Sequence, residues 1–282
     1  MNRMNGYSYT SLTDALFDAG IGDNEDARYE AAILLEHFCG VKRAELPLRR
    51  DESFSNACLL NAVERRCKRE PLQYIIGDWS FCNEVYTVTP SCLIPRMDTE
   101  ILVETAATLL PRGGRFIDLC TGSGCIAISL LSLRKDASGV AVDLYPDTLA
   151  VAKGNAARNG VADRFTPALG DVLQGDFMEP FGKLDLILSN PPYIPSRVVD
   201  GLSPEVLNEP RAALDGGEDG LVFYRVLIRE YPRFLNKGGK LILEIGYDQK
   251  DAISMLAKTE GHSVEILKDL GGNDRVAIIT PA

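Results

Sequence analysis

Histidine is almost absent from this 282-residue chain, where only His37 and His262 occur. Its seven cysteines (Cys39, Cys58, Cys67, Cys82, Cys92, Cys120 and Cys125) form no Cys-x-x-Cys pair. Finger-type ligand spacing is therefore missing, which argues against a metal site and for reduced, unpaired thiols. Long apolar runs are lacking too. Stretches such as Ala31 to Leu35 are far too short to span a bilayer, and Met1 to Asp14 is broken by Asn, Ser and Thr, so neither a membrane span nor a secretory signal is expected. A cytoplasmic protein is the expectation. Positive charge is in deficit: 30 Lys and Arg against 40 Asp and Glu give a net charge of -10. That field repels phosphate backbones, so direct contact with nucleic acid is not expected.

What is present reads as a helical start followed by an alternating α/β region. Leu12, Ala15, Leu16 and Ala19 recur at helical spacing, with Ser11 as a cap candidate and Gly20 as a stop. Ala27, Ala31, Leu34, Leu35 and Phe38 form a second stripe, introduced by Asp23 or Asn24 and ended by Gly40. A third helix is expected around Ser55 to Arg69, ahead of Pro71. It carries the basic run Arg65, Arg66, Lys68 and Arg69, read first as a solvated face and second as a docking patch. Phe81 to Val88 alternates as a hairpin does. We accordingly place a helical domain at 1–73, a hairpin linker at 74–97 and the α/β domain at 98–282.

Within the last segment, short apolar strands are expected at Arg115–Leu119, Gly139–Asp143, Phe165–Leu169, Leu184–Ser189 and Lys240–Glu244, separated by helical patterns. Such alternation gives βαβ units and a mostly parallel sheet. His262–Leu267 and Arg275–Thr280 leave no room for a crossover helix, so the last strand should be antiparallel.

Three strand ends carry a recognisable pattern. The first runs into Cys120-Thr121-Gly122-Ser123-Gly124, a turn whose small residues let backbone N–H groups approach a ligand. The second ends in Asp143, placed to accept hydrogen bonds from ribose hydroxyls or, alternatively, to cap the next helix. The third ends in Gly170-Asp171, an acid that can meet an adenine amino group. Together they describe an adenosine site. The third glycine of a dinucleotide fingerprint is replaced by Ala127, which points to S-adenosylmethionine rather than to a nicotinamide cofactor. Cys120 and Cys125 flank the turn and are candidates for redox-sensitive thiols, given a lowered pKa.

The fourth strand delivers Asn190-Pro191-Pro192-Tyr193. A plain turn requires neither the Asn nor the Tyr. An amide or aromatic-amine nitrogen is a weak nucleophile, because its lone pair is delocalised, and it must be oriented to react. The Asn190 side-chain oxygen and the Pro191 carbonyl can each accept one N–H of such a group, and the prolines fix those acceptors in advance. The Tyr193 ring can stack on the planar substrate and tolerate a sulfonium charge.

These residues, with Pro71-Leu72-Gln73-Tyr74-Ile75-Ile76-Gly77, Leu93-Ile94-Pro95-Arg96, Asp98-Thr99-Glu100, Glu209-Pro210-Arg211-Ala212-Ala213-Leu214 and Asp269 to Arg275, resemble the bacterial peptide-chain release factor glutamine methyltransferases. The resemblance runs over nearly the whole chain. It implies a Rossmann-like class I methyltransferase sheet, mostly parallel with an antiparallel last strand, behind a small N-terminal helical domain that helps dock the substrate. It further implies an S-adenosyl-L-methionine-dependent monomer that methylates the glutamine of a Gly-Gly-Gln loop at Asn190 to Tyr193. Cys120, Thr121, Gly122, Ser123, Gly124, Asp143, Asp171, Val172 and Asn190 would surround the cofactor. Cys120 stands where the family usually has glycine, Met97 where it often has proline, and Val172 where a bulkier residue is common. The alternative is a nucleic-acid exocyclic-amine methyltransferase using the same tetrad, against which the negative charge and the helical appendage argue. A non-catalytic adenosyl-binding protein is a third reading, disfavoured by the intact tetrad.

Overall fold

The computed structural model describes residues 6–282, so the first five residues of the Met1–Asp14 segment lie outside the described residues. The chain forms two units: one comprises the described residues through Gly77 together with Ser203–Asn208, the other Asp78–Leu202 and Glu209–Ala282. A six-residue segment from deep within the α/β sequence thus folds with the helical unit, which local patterning could not reveal.

The helical unit is built from α1 (Tyr9–Asp18), α2 (Asn24–Cys39), α3 (Leu46–Arg49), α4 (Ala57–Cys67) and α5 (Leu72–Ile76). The cap of α1 is Ser8 rather than Ser11; the two serines form a capping box in which Ser11 occupies the third helical position. Asp23 caps α2 by accepting from the N–H groups of Glu25 and Asp26, and Gly40 ends it in the left-handed region at φ +68°. Leu12, Leu16, Leu34, Leu35, Leu59 and Val63 close the core of this unit.

In the basic run at the end of α4, Arg66 departs from the expected solvated face, whereas Lys68 is exposed as expected. Arg66 is buried and pairs with Glu30 and Glu205, while Arg65, Lys68 and Arg69 pair with Glu70, Glu64 and Glu205. A buried guanidinium is tolerated because three carboxylate contacts at 2.6, 3.0 and 3.0 Å satisfy its fork of donors. The same contacts bind Ser203–Asn208 into the helical unit.

The second unit opens with the antiparallel pair β1 (Asp78–Phe81) and β2 (Glu84–Thr87). It continues through α6 (Glu100–Leu109), β3 (Arg115–Leu119), α7 (Cys125–Leu133), β4 (Ser138–Asp143), α8 (Pro146–Arg158), β5 (Phe165–Leu169), β6 (Leu184–Ser189) and α9 (Ser196–Val199). The short α10 (Pro204–Leu207) lies in the segment given to the helical unit; then follow α11 (Val222–Glu230), β7 (Leu235–Glu244), α12 (Lys250–Thr259), β8 (Ser263–Lys268) and β9 (Asp274–Thr280). Seven strands form one sheet in the order β5-β4-β3-β6-β7-β9-β8, parallel except for β9, which runs antiparallel to both neighbours. This is the mostly parallel sheet expected from the sequence. β7 begins five residues before its expected start at Lys240, because an irregularity opposite Leu184–Leu186 absorbs Asn236 to Gly239.

Alternate residues of the buried strands face opposite layers. Phe116, Leu186 and Leu188 pack with α6, α7 and α8, while Ile117, Ile187 and Leu241 pack with α11 and α12. Strand order reverses between β3 and β6, so the loops leaving their carboxyl ends diverge to opposite sides and open a crevice there.

Candidate active site

The loop leaving β3 is shaped by three left-handed residues in five: Cys120 at φ +59°, Gly122 at +57° and Gly124 at +82°. At Gly124 a Cβ would lie 2.8 Å from the Ile128 Cδ1, so glycine also permits close packing onto the helices. The turn is held from below. The Thr121 hydroxyl donates to Asp118 Oδ2 at 2.6 Å, the Ala127 N–H reaches the same oxygen at 3.3 Å, and Asn155 Nδ2 donates to the Ser123 carbonyl at 2.9 Å. Asp118 is fully buried and its Oδ1 has no partner; burial pushes its pKa up to about 7. Asn155 and Asp118 are site-shaping residues that motif reading passed over.

Asp143, buried at the end of β4, accepts from the Gly122 N–H at 3.0 Å and from the Tyr145 N–H at 3.1 Å. It therefore both steadies the glycine turn and leads into α8, and each oxygen keeps a further lone pair for a ligand hydroxyl. Asp171 accepts from the Leu173 N–H and the Gln174 side-chain amide, both at 2.9 Å. Val172 is buried beside it, its carbonyl accepting from the Tyr231 hydroxyl at 2.8 Å. The thiols of Cys120 and Cys125 are pushed well above the ordinary range by burial and by nearby carboxyls, Asp143 for the first and Asp118 for the second. Neither is a reactive thiolate.

All these strand ends open into one cavity of about 430 Å³. Cys120, Thr121, Gly122, Ser123, Asp143, Asp171, Val172, Asn190 and Pro192 line it together; Gly124, Pro191 and Tyr193 adjoin these lining residues in the chain. The sequence reading did not single out Leu144 and Leu173, half-exposed apolar side chains that also line the cavity; Arg96 and Thr99, quoted there only within family segments, line it too.

Asn190 leaves β6 with its Nδ2 donating to the Thr99 hydroxyl oxygen at 3.4 Å, an orientation that leaves Oδ1 as a free acceptor. Tyr193 packs against the core on the α11 and α12 side. Its hydroxyl donates to Glu244 Oε1 at 3.4 Å, and burial together with that carboxyl raises the phenol pKa. The ring is thus anchored at its tip rather than free at the cavity wall.

Two family models match the chain, one described as the PrmC N-terminal domain over residues 10–77 and one as the methyltransferase small domain over residues 96–235. The release factor glutamine methyltransferase of Geobacter sulfurreducens is 42% identical over 259 residues, covering 89% of each chain. The chain belongs to the release factor glutamine methyltransferases. The enzyme of that name from Caulobacter vibrioides is 40% identical over 96% of this chain and 94% of its own. A solved methyltransferase from Pyrococcus furiosus superposes with a TM-score of 0.52 at 22% identity, covering 69% of this chain and 86% of that one, which supports the fold alone.

Within this methyltransferase the scattered segments that carried the resemblance meet in space. Glu209 is buried, pairs with Arg96 and accepts from the Ile94 N–H at 2.9 Å, joining the Glu209–Leu214 and Leu93–Arg96 segments. Arg275 contacts Asp98 at 3.1 Å and Asp269 at 3.0 Å, joining the closing segment to the start of α6. The first pairing includes the cavity-lining Arg96, and Asp98 of the second precedes the lining residue Thr99.

Proposed function

We propose that this chain transfers a methyl group from S-adenosylmethionine to the side-chain amide nitrogen of the glutamine in the Gly-Gly-Gln motif of peptide chain release factors. The observation that carries the reading is the placement of Asn190-Pro191-Pro192-Tyr193 at the β6 end, with Asn190 and Pro192 opening onto the same cavity as the glycine turn.

The cavity suits the cofactor on its own chemistry. Ser123 Oγ is buried without a hydrogen-bond partner in the wall, Asp143 retains acceptor capacity for ribose hydroxyls, and Leu144, Val172 and Leu173 offer apolar contact to a base. When bound, S-adenosylmethionine supplies an electrophilic methyl group on a sulfonium centre. Cys120, Thr121, Gly122, Ser123, Gly124, Asp143, Asp171 and Val172 would hold it.

On the substrate side, Asn190 Oδ1 and the Pro191 carbonyl each accept one N–H of the glutamine amide. That pairing immobilises the planar group and turns the nitrogen lone pair towards the cofactor end. Methylation makes the nitrogen acidic enough to release a proton to water, so no general base is needed. Tyr193, held by its hydroxyl, fixes the position of the backbone that carries the acceptors. The helical unit docks the release factor, and the chain works as a cytoplasmic monomer; all seven cysteines are free thiols, and no described helix is long and apolar enough to cross a membrane.

Incubation with methyl-labelled S-adenosylmethionine and an unmethylated release factor tests the reading, beside the same factor with its Gly-Gly-Gln glutamine replaced and beside DNA and RNA. Label should enter only the intact release factor. Label entering nucleic acid would overturn the substrate assignment.

A further inference from the structure

The end of β7 and the segment that follows it meet Tyr193 at two points. Glu244 is 2% exposed, one of its carboxyl oxygens accepts from the Tyr193 hydroxyl, and the other has no hydrogen-bond partner. Five residues on, the buried Gln249 makes three contacts: its Nε2 donates to the Tyr193 carbonyl at 3.0 Å and to the Gly220 carbonyl at 3.2 Å, while its Oε1 accepts from the Gly246 N–H at 2.8 Å. A side-chain amide satisfied on both sides has a single orientation.

The backbone around Tyr193 is packed as tightly. A Cβ at Gly216 would lie 2.7 Å from Tyr193 Cα, and one at Gly220 would lie 2.4 Å from the Tyr193 carbonyl oxygen. Ile194 bridges to the same strip, its N–H donating to the Leu214 carbonyl and its carbonyl accepting from the Gly216 N–H, both at 2.9 Å. Nothing in the established chemistry needs a buried glutamate or glutamine here, because neither lines the cavity.

We infer that Glu244 and Gln249 are positioning residues for methyl transfer, fixing Tyr193 at its hydroxyl and at its main chain so that the Asn190 and Pro191 acceptors stay in register with the substrate amide. The inference rests on the proposed role of the tetrad. Loss of either anchor should let the tetrad drift while leaving the glycine turn and the release factor's docking surface as they are. A displacement of about 1 Å at the reacting centre is enough to lower a rate on the order of a hundredfold.

The test compares full-length Gln249→Ala, Glu244→Leu and Glu244→Gln. The first readout needs no cofactor: the ring resonance of Tyr193 in carbon-13 tyrosine-labelled protein, assigned by its absence from Tyr193→Phe, should shift in Gln249→Ala and Glu244→Leu. In turnover, kcat should fall by about tenfold or more in both, with KM for the release factor and the cofactor Kd within about twofold of wild type. Glu244→Gln keeps an acceptor for the hydroxyl and should recover most of the rate. In a Tyr193→Phe background Glu244→Leu should add less than about twofold, because the contact is already gone.

Unmoved Tyr193 resonances with wild-type kcat overturn the inference. So does a cofactor affinity that falls in step with kcat, which would make both residues merely structural. If Asn190→Ala loses transfer while Gln249→Ala keeps it, this inference fails and the tetrad reading stands; wild-type turnover in Asn190→Ala removes both.

Discussion

Each end of the cavity has a buried carboxyl group behind it with one oxygen unpartnered, Asp118 below the glycine turn and Glu244 behind the tetrad. They are used differently. Asp118 accepts a short 2.6 Å bond from Thr121 and a main-chain N–H from a helix, so it fixes backbone to backbone across a few residues of sequence. Glu244 reaches a side-chain hydroxyl at 3.4 Å, from a residue 51 positions earlier in the chain. The glycine turn is further held by Asp143 and Asn155, 21 and 32 residues from their partners. Asn190 and Tyr193 contact Thr99 and Glu244, 91 and 51 residues away, so the proposed substrate side draws on more distant segments than the proposed cofactor side.

Breaking the substrate end directly should have the largest effect. Asn190→Ala removes one of two acceptors for the substrate amide and leaves an N–H unpaired in a closed site. It should lower kcat/KM by about 10²–10³, in the range for loss of one positioned hydrogen-bonding group. Release-factor affinity measured in a pull-down should stay near wild type if docking is on the helical unit as proposed. A variant with wild-type turnover would remove the orienting role from Asn190.

Glycine substitutions separate the two ends. Gly220→Ala puts a methyl 2.4 Å from the Tyr193 carbonyl oxygen and a side chain at φ +75°, so strain adds to collision. A loss of roughly 1–3 kcal/mol from the backbone conformation alone is expected, seen as a melting temperature lowered by several degrees, along with lost activity. Gly122→Ala meets open space and bears only the strain of φ +57°, and its added methyl stands where a ligand would lie. It should weaken cofactor binding by calorimetry more than it lowers stability. Equal stability losses in the two variants would erase the distinction.

The residues proposed for the cofactor could be grouped from the sequence more completely than those that contact Tyr193, for a physical reason. Cys120 to Gly124, Asp143 and Asp171 are consecutive strand ends, and strand periodicity alone places them side by side. Asn190 and Pro192 were legible because their residue types have few other uses at that position. Glu244, Gln249, Gly216 and Gly220 carry no local signal, since Glu244 acts on Tyr193 from the end of β7 and the others from distant loops. Arg66 was misread in the same way: its partners lie 36 and 139 residues off, so it looked solvated when it is buried among ion-pair partners. The helix boundaries followed the caps: the capping box of α1 moved its start by a few residues, and α4, capped by Asn56, is two residues shorter at each end than expected.

A smaller effect comes from titrating the two carboxyls. Burial raises each to about 7 in the folded protein; Thr121, Ala127 and Asp143 modulate Asp118, and Thr99, Arg275, Asp98 and Tyr193 modulate Glu244. Unfolded, both titrate near 4. Each group therefore binds its proton more tightly when folded, so its contribution to stability is complete below about pH 4 and falls as pH rises to about 7. Asp118→Asn should flatten the decline of melting temperature between about pH 4 and 7, and Glu244→Gln should flatten another part of it. Slopes identical to wild type in both variants would show that these groups do not set it.

The smallest effect should come from Cys120→Gly, and its sign is informative. Deleting a side chain ordinarily destabilises, yet Cys120 is held at φ +59°, where an L-residue is strained by about 1–3 kcal/mol. Glycine removes that strain, while the greater entropy of the unfolded chain offsets about 0.5–1 kcal/mol of the gain. The melting temperature should be unchanged or slightly raised, and cofactor affinity unchanged or improved, because the turn keeps its left-handed geometry without the thiol on its wall. A clear fall in stability would mean that the Cys120 side chain, rather than the backbone around it, holds the first strand end in place, and the cofactor end would then depend on packing as much as the substrate end does.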